Sequence, residues 1–349
     1  MGEQMYRGCR IALVIPAFNE SKLIRHTLSA VPELVDIVYV VDDASSDNQA
    51  EVVRSCSMVD SRIVLIRHER NKGPGAAIIT GYARSSGDEN DITVVVGGDH
   101  QMDLSEIRNF LDPIVDEEAD YTKGNRFLIG KFRDTVSRMP RIRLLGNWII
   151  TALTKIASGY FKVMDVVDGY TAISKEAIDI IDWSKAWKGY GYPMDFLVRL
   201  NAYGLAVLDV PRTAIYLTGE RQSQIKGFRY ARRVSRMLLK AFFWRLHFKY
   251  VYLDFHPLIF FYYLSFICIP SGVLLGGYLI VDKLFAGGYY VTAPKAILVA
   301  LILIAGFQSL LFAMLFDRGE SRWTYPRASA RSRRTSSAKT IPVTASSTL

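Results

Sequence analysis

The hydrophobic pattern of the first two thirds of the chain is typical of an α/β domain, in which strands and helices alternate. Short apolar runs rich in β-branched residues predict buried strands over 11–15, 37–41, 63–66 and 92–96. Apolar residues at helical spacing predict helices over 20–31 and 75–86. Continuous apolar strands separated by helices indicate a parallel sheet that is covered on both faces.

Polar side chains follow the ends of three of these strands. They are Glu20 after the first strand, Asp42 and Asp43 after the second, and Asp99 and Gln101 after the fourth. Ligands of open α/β sheets bind beyond the carboxyl ends of the strands, so the pattern predicts a ligand site at this edge. The sequence has neither a glycine-rich dinucleotide loop after the first strand nor a Walker-type loop. This argues against a dinucleotide-dependent enzyme and against a P-loop NTPase.

The pattern changes in the last third of the chain, where two uncharged apolar runs cover 257–281 and 296–316. These runs have 25 and 21 residues, and a helix needs about 20 apolar residues to cross the hydrocarbon core of a bilayer. Both are therefore predicted to be transmembrane helices that form a hairpin. The alternative is a pair of buried helices in a soluble domain.

The formal net charge of +9 is distributed unevenly and orients this hairpin. Residues 1–225 carry 26 basic and 30 acidic side chains, whereas residues 226–349 carry 17 and 4. Cations precede the first run and follow the second, but the connection 282–295 has only two lysines. The positive-inside rule predicts that both termini and the N-terminal domain face the cytoplasm. The predicted location of the hairpin is an inner or plasma membrane. The excess positive charge belongs to the membrane part, so it gives no case for nucleic-acid binding.

Two further segments complete the predicted organisation. Segment 226–256 interleaves cations with aromatic residues at near-helical spacing, which predicts an amphipathic helix on anionic headgroups. The alternative is an amphipathic helix packed on the N-terminal domain. The tail 317–349 is rich in Ser, Thr and Arg and is predicted to be disordered. The three cysteines are widely scattered and indicate neither a disulfide framework nor a cysteine zinc site.

Six motifs in order carry a family resemblance. They are IPAFNE at 15–20, VVDDASSD at 40–47, NKGPGAA at 71–77, GGDHQMD at 97–103, KGNRF at 123–127 and DVVDGYTA at 165–172. Together they resemble the GT-A nucleotide-sugar domain of inverting glycosyltransferases, in the branch of dolichyl-phosphate mannose synthase and the bacterial polyprenyl-phosphate glycosyltransferases. The resemblance covers roughly residues 8–320. It implies a GT-A domain over 1–225, and transfer of a sugar from a UDP- or GDP-sugar to polyprenyl or dolichyl phosphate.

The resemblance also implies which residues hold the donor and its metal. The implied donor- and phosphate-binding residues are Pro16, Glu20, Asp42, Asp43, Asn71, Gly73, Asp99 and Asn147. The implied ligands of Mg²⁺ or Mn²⁺ are Asp99, Gln101 and Asp103, whose hard oxygen atoms suit either ion. Gly97 stands where the family usually has the first acid of this loop. For the paired acids the alternative is a turn with Asp47 as a helix N-cap, and for the metal loop it is also a turn.

On the acceptor side, the resemblance places Arg126, Arg143 and Asn147 near the lipid phosphate, and Asp165 where it could orient the acceptor or a sugar hydroxyl. The expected catalytic residues are thus Asp99, Arg126, Arg143 and Asp165. A phosphate monoester is already mostly dianionic near neutral pH, so it needs cations around it more than a strong base. Further candidate cations are Arg138, Arg141, Arg221 and Lys226. Asp168 and Tyr170 depart from the family pattern, with sugar choice or an ordinary loop as their two interpretations.

Two other functions stay open at this point, and so does a homo-oligomeric state. One is a membrane glycosyltransferase whose acceptor is a hydroxyl of a lipid-glycan or polysaccharide, which would need a general base. The other is a degenerate, non-catalytic protein that binds a nucleotide sugar, a possibility raised by Gly97.

Overall fold

The structure is a computed structural model that describes residues 5–127, 141–213, 215, 227–285 and 292–320. For 141–144 and 227–229 it describes the backbone alone. The side chains of Arg138, Arg141, Arg143, Arg221 and Lys226 therefore lie outside the described residues. The same holds for the predicted tail beyond residue 320 and for 286–291 of the connection between the two apolar runs.

The described strands form one mixed sheet. They are β1 (Ile11–Ala17), β2 (Ile37–Asp42), β3 (Ile63–Arg67), β4 (Ile92–Val95), β5 (Tyr121–Asn125), β6 (Thr171–Ser174) and β7 (Val207–Pro211), in the order β3-β2-β1-β4-β6-β5-β7. The four predicted strands are present and pair in parallel. The expectation of a wholly parallel sheet is wrong, because β6 runs antiparallel to both β4 and β5.

Helices connect these strands and cover both faces of the sheet. They are α1 (Ile24–Ser29), α2 (Gln49–Ser57), α3 (Pro74–Gly87), α4 (Ile107–Val115), α5 (Arg141–Ser158), α6 (Lys175–Ile180) and α7 (Tyr192–Ala202). Along β1, Ala12 and Val14 belong to one hydrophobic core and Ile11, Leu13 and Ile15 to the other. Strand residues buried on both faces explain the continuous apolar runs in the sequence.

The C-terminal part begins with α8 (Gly227–His247), followed by a π-helical segment, Phe248–Leu253. The apolar side of α8, including Val234, Leu238 and Phe242, is buried in the same core as residues of α5 and α7. Its cationic side, including Arg232 and Arg236, is exposed. The apolar side of α8 therefore packs on the N-terminal domain, which was the alternative interpretation of this segment. Contact of its cationic side with a membrane stays a prediction.

The last two helices, α9 (Leu258–Phe285) and α10 (Ala293–Glu320), are long and apolar enough to cross a membrane. Each is a few residues longer than the apolar run that predicted it. The two helices approach closely at glycines: a Cβ atom on Gly272 would lie 2.7 Å from Leu303, and one on Gly306 would lie 2.8 Å from Ile269. Small residues at such crossings are typical of helices packed in a bilayer.

Candidate active site at the carboxyl edge of the sheet

The predicted site residues come together because of strand direction. β1, β2, β4, β5 and β7 all run the same way, and β6 runs the opposite way. The segments that follow these five parallel strands therefore lie at one edge of the sheet. The segment that precedes β6 lies at the same edge. Glu20, Asp43, Asp99, Arg126 and Asp165 are all on these segments.

Asp42 shapes the loops at this edge. It is fully buried, and its Oδ1 accepts hydrogen bonds from the Ser45 backbone N–H and the Gln49 side-chain amide, both at 3.0 Å. The guanidinium of Arg67 lies 3.2 Å from its other oxygen. Gln49 in turn accepts a hydrogen bond from the backbone N–H of Glu20 at 2.8 Å. Asp42 thus ties the loop after β1 to the start of α2, and direct contact of its carboxylate with a nucleoside stays a prediction.

The neighbouring Asp47 stands just ahead of α2. Its carboxylate accepts from the backbone N–H of Gln49 at 3.2 Å and from that of Ser21 at 3.0 Å. The N-cap residue of α2 is Asn48, so the alternative that made Asp47 the N-cap is wrong by one residue. Asp47 nevertheless satisfies a backbone donor in the first turn of the helix, as a capping residue does.

Asp43 accepts hydrogen bonds from one side chain and two backbone N–H groups. Its Oδ1 accepts from His68 Nδ1 at 2.7 Å and from the Lys72 backbone N–H at 2.8 Å, and its Oδ2 accepts from the Gly73 N–H at 2.7 Å. Gly73 has a φ of +94°, a conformation that favours glycine. Because Asp43 holds the NKGPG segment against the end of β2, it brings Asn71 and Gly73 to the same edge as Glu20.

The predicted metal loop follows β4. The Asp99 carboxylate accepts the Gln101 backbone N–H at 3.3 Å, and its burial raises its pKa above the usual range. A Cβ atom on Gly97 would lie only 2.9 Å from Asp99 Oδ1. Asp103 instead caps the following turn, accepting from the Ser105 N–H and hydroxyl at 2.9 and 2.6 Å. Its coordination of a metal stays a prediction.

Within the described part of the chain, no three His, Cys, Asp or Glu side chains form a group that could hold a metal ion. One partly buried carboxylate with a neighbouring amide suits Mg²⁺ or Mn²⁺ only if diphosphate and water supply the other ligands, as is common for Mg²⁺. The raised pKa of Asp99 fits this arrangement, since a bound cation would offset the cost of burying its charge.

Two arginines and two aspartates form an ion-pair network on the segments around β5, β6 and β7. Arg126 donates from Nε and Nη2 to the two oxygens of Asp165 at 2.6 and 2.7 Å. Arg212 donates from Nε to Asp168 at 2.8 Å, and Arg126 lies 3.3 Å from that same carboxylate. Burial would raise the pKa of Asp165, but the hydrogen bonds and charge of Arg126 outweigh burial and hold the pKa below its usual range. Asp165 is therefore ionised at neutral pH and is a weak base.

Lys123 fixes the backbone around Asp165 by hydrogen bonds. The Lys123 ammonium is buried and donates to the carbonyl oxygens of Gly124, Met164 and Asp165 at 3.0, 2.8 and 2.7 Å. Asp165 itself has a φ of +46°, which is uncommon for a residue other than glycine. The lysine of the KGNRF motif thus stabilises the loop that presents Asp165 to Arg126.

Helix α5 lies beside Asp165 at this edge. A small cavity lies beside Asp165, and its lining residues are Phe127, Asn147, Trp148, Thr151, Met164 and Asp165. The structure therefore places Asn147 and Asp165 at the same cavity, and contact of either side chain with an acceptor phosphate stays a prediction. Arg143 lies one helical turn before Asn147 on α5, with its side chain outside the described residues.

Sequence reasoning missed Arg212 and left Asp168 without a partner. Arg212 directly follows β7, a strand that was not predicted, and it also donates to the Gln101 carbonyl at 3.3 Å. The available signal was the sequence VPRT, in which a cation follows a short apolar run, as Arg126 follows β5. Arg212 links the Asp168 loop to the predicted metal loop.

Comparison with known proteins gives a matching family profile and two relatives. Residues 12–181 match the profile of the family described as Glycosyl transferase family 2. The chain is 28% identical over 219 residues to the UDP-N-acetylglucosamine–dolichyl-phosphate N-acetylglucosaminyltransferase of Methanococcus voltae, covering 59% of this chain and 86% of that protein. It is 26% identical over 211 residues to the undecaprenyl-phosphate mannosyltransferase of Micrococcus luteus, covering 59% and 84%.

A solved structure shares the fold. It is glucosyl-3-phosphoglycerate synthase of Mycobacterium tuberculosis in complex with Mn²⁺, UDP and glucosyl-3-phosphoglycerate. The TM-score is 0.50 at 17% sequence identity, over 68% of this chain and 80% of that one. The profile and the two relatives confirm the family resemblance, and the solved structure confirms the fold class.

Proposed function

Because residues 12–181 form a Glycosyl transferase family 2 domain, we propose that this protein transfers a sugar from a UDP- or GDP-linked donor to the phosphate of a polyprenol or dolichol. The observation that carries the choice of acceptor is the Arg126–Asp165 pair. Both oxygens of Asp165 accept from one guanidinium, so the carboxylate is a poor general base. An acceptor phosphate is already ionised and does not need one. The names of the two relatives, which act on dolichyl and undecaprenyl phosphate, support the same acceptor class.

The reaction is a single displacement at the anomeric carbon. A phosphate oxygen of the acceptor forms the new bond to that carbon while the bond to the nucleoside diphosphate breaks, which inverts the configuration. The protein's task is to align these groups and to keep them aligned. Arg126, Arg143 and Asn147 would hold the acceptor phosphate, since a guanidinium can bind phosphate in a bidentate way. Asp165 would orient Arg126, and the backbone around Asp43 and Gly73 would hold the nucleoside end of the donor.

A divalent cation completes the donor site in this proposal. Asp99 and Gln101 would hold Mg²⁺ or Mn²⁺, with Asp103 as a third candidate ligand. When bound, such an ion neutralises charge on the diphosphate as it leaves. The M. tuberculosis structure, which contains Mn²⁺ with UDP, belongs to a protein of the same fold.

We further propose that the protein is anchored in an inner or plasma membrane by α9 and α10, with both termini and the active site in the cytoplasm. Helix α5 adds an apolar surface to this anchor. Leu145 and Ile149 on α5 are 61% and 52% exposed, and Trp148 lies beside them. An exposed apolar stripe next to the predicted acceptor site suits contact with a bilayer that contains the lipid acceptor.

The test is turnover by the full-length protein in vesicles that contain undecaprenyl phosphate. UDP-N-acetylglucosamine is the first donor to try, followed by other UDP- and GDP-sugars, each with Mg²⁺ or Mn²⁺ and with EDTA. We expect nucleotide release that depends on both the lipid phosphate and the metal. No release with any donor would contradict the proposal.

A pair of variants identifies the acceptor class. Arg143→Ala is expected to lower turnover at least as much as Asp165→Asn, because the phosphate needs cations and no base. A much larger loss for Asp165→Asn would instead favour a hydroxyl acceptor that depends on a general base.

A further inference from the structure

A fully buried ion pair lies away from the candidate active site and joins the last helix to the rest of the protein. Arg245 of α8 and Asp317 of α10 are both 0% exposed. The guanidinium donates from Nη1 to Oδ1 at 2.8 Å and from Nη2 to Oδ2 at 2.7 Å. The hydroxyls of Tyr250 and Tyr262 donate to the same carboxylate at 2.5 and 3.1 Å. Asp317 therefore accepts four hydrogen bonds from three neighbouring elements.

The same arginine also holds the catalytic domain. Its Nε donates to the Ala157 carbonyl of α5 at 2.8 Å, and its Nη1 donates to the Asn201 side chain of α7 at 3.1 Å. Gly159, just after α5, has a φ of +77°, and a Cβ atom there would lie 2.8 Å from Nη1. The site thus leaves no space for a larger residue at 159. Through one guanidinium, the end of α5 is tied to the end of α10.

Helix α5 connects this ion pair to the acceptor side of the active site. Asn147, which lines the cavity beside Asp165, precedes Ala157 by ten residues on the helix, a rise of about 15 Å. A shift of the ion pair would therefore move the acceptor side of the site relative to the membrane hairpin.

Stability alone does not explain a buried ion pair, because apolar residues of similar volume often stabilise a protein as well or better. The pair instead fixes the relative orientation of α8 and α10, because its hydrogen bonds are bidentate. We propose that Arg245 and Asp317 are positioning residues, which hold the acceptor site at a set height and orientation above the bilayer. The nature of the acceptor rests on the function proposed above.

The experiment compares two acceptors with the same reconstituted full-length protein. One is undecaprenyl phosphate in phosphatidylethanolamine and phosphatidylglycerol vesicles, and the other is water-soluble citronellyl phosphate added outside them. The variants are Asp317→Asn and the double variant Arg245→Met/Asp317→Leu, which removes both charges of the pair. We expect kcat/KM for undecaprenyl phosphate to fall by about 10- to 100-fold, since small misplacements of reacting groups have effects of this size. Turnover of citronellyl phosphate and the Kd for UDP should stay close to wild type.

Leu111→Ala is the matched control, because Leu111 is fully buried in the core on α4 and belongs to neither the ion pair nor the active site. It should lower the unfolding temperature and affect both acceptors alike. Equal losses for both acceptors in the double variant, or a selective loss in Leu111→Ala, would overturn the proposal. A wild-type protein that uses neither acceptor would instead contradict the proposed function.

A distance measurement tests the positioning role without relying on activity. Nitroxide labels are placed on α5 by Leu145→Cys and on α9 by Leu274→Cys, two exposed positions, after replacement of Cys9, Cys56 and Cys268. We expect a narrow distance distribution in the parent and a broader or shifted one in the double variant. An unchanged distribution would overturn the proposal.

Discussion

At the scale of single residues, the candidate site holds its charges in pairs. Arg126 pairs with Asp165, and Arg212 pairs with Asp168, whose carboxylate also faces Arg126. Attraction between the two arginines and the two aspartates offsets part of the free energy needed to remove each charge from water. In the proposed function, an incoming phosphate would compete with Asp165 for Arg126, so the orientation of that guanidinium would be part of acceptor recognition.

The Asp168–Arg212 pair provides a direct stability test. The Arg212 side chain is 5% exposed, so Asp168→Ala leaves a buried cation without its main partner. We expect the free energy of unfolding to fall by about 3–5 kcal/mol. The double variant Asp168→Ala/Arg212→Met should recover most of this loss, because it removes both charges. Denaturant unfolding in detergent measures both variants, and a double variant as unstable as the single one would contradict this account.

Gly97 provides a test of the predicted metal loop. A methyl group at this position would meet Asp99 Oδ1, so Gly97→Ala should turn the carboxylate away from its present position. We expect the Mg²⁺ or Mn²⁺ concentration needed for half-maximal turnover to rise, with little change in unfolding temperature. A metal titration of activity measures this. An unchanged titration with lower overall turnover would mean that Asp99 acts other than through a metal.

At the scale of elements, the glycines of NKGPGAA allow two segments to meet. A Cβ atom on Gly73 would lie 2.5 Å from the Lys188 carbonyl oxygen, and one on Gly75 would lie 2.4 Å from that of Trp187. The Ala76 N–H donates to Lys188 at 3.2 Å. The start of α3, which helps to form the predicted nucleoside side of the site, is therefore packed directly on the loop ahead of α7.

This contact reverses the usual effect of replacing glycine in a helix. Gly75→Ala would normally stabilise α3 by about 1 kcal/mol, but here the new methyl group meets backbone that cannot turn aside. We expect a loss of about 1–3 kcal/mol, together with weaker UDP binding, measured by thermal unfolding and by calorimetry. Gly87→Ala, in the same helix with open space around it, is the control and should be neutral or stabilising. A stabilising Gly75→Ala would show that the close approach is absent.

At the scale of the whole molecule, an acidic α/β domain is joined to a basic, apolar C-terminal part. The junction is made of polar contacts as well as apolar ones, with Arg245 and Asp317 at its centre. The two long helices leave most of their large apolar side chains exposed in the isolated protein, including Leu274, Leu284 and Leu311. Lipid is the environment that would cover such a surface.

The orientation of the hairpin is testable in intact cells. By the positive-inside rule, Lys283→Cys at the end of α9 should react with a membrane-impermeant maleimide from outside. Met58→Cys, an exposed residue of the catalytic domain, should react only after the membrane is permeabilised. Both variants need a background without the native cysteines. Labelling of Met58→Cys in intact cells would contradict the predicted orientation.

Part of the fold could be predicted because its signals are local. The strands β1 to β4 are continuous apolar runs, and the two long helices have the length that a bilayer requires. The strands β5, β6 and β7 escaped prediction because they contain polar or charged residues such as Lys123 and Asp209, which hydrogen-bond to distant segments. The antiparallel direction of β6 depends on how distant segments pair, and no local pattern encodes it.

The sequence by itself determined the family, the edge of the sheet where the predicted site residues lie and the division of charge along the chain, because these follow from motifs, strand direction and composition. Only the tertiary structure decided how the paired acids divide their roles, with Asp42 buried among loop donors and Asp43 holding the NKGPG segment. It also decided which cation pairs with Asp168 and that Arg245 meets Asp317, 72 residues later in the chain. The physical reason is that the pairing of buried charges depends on which distant segments exclude water together.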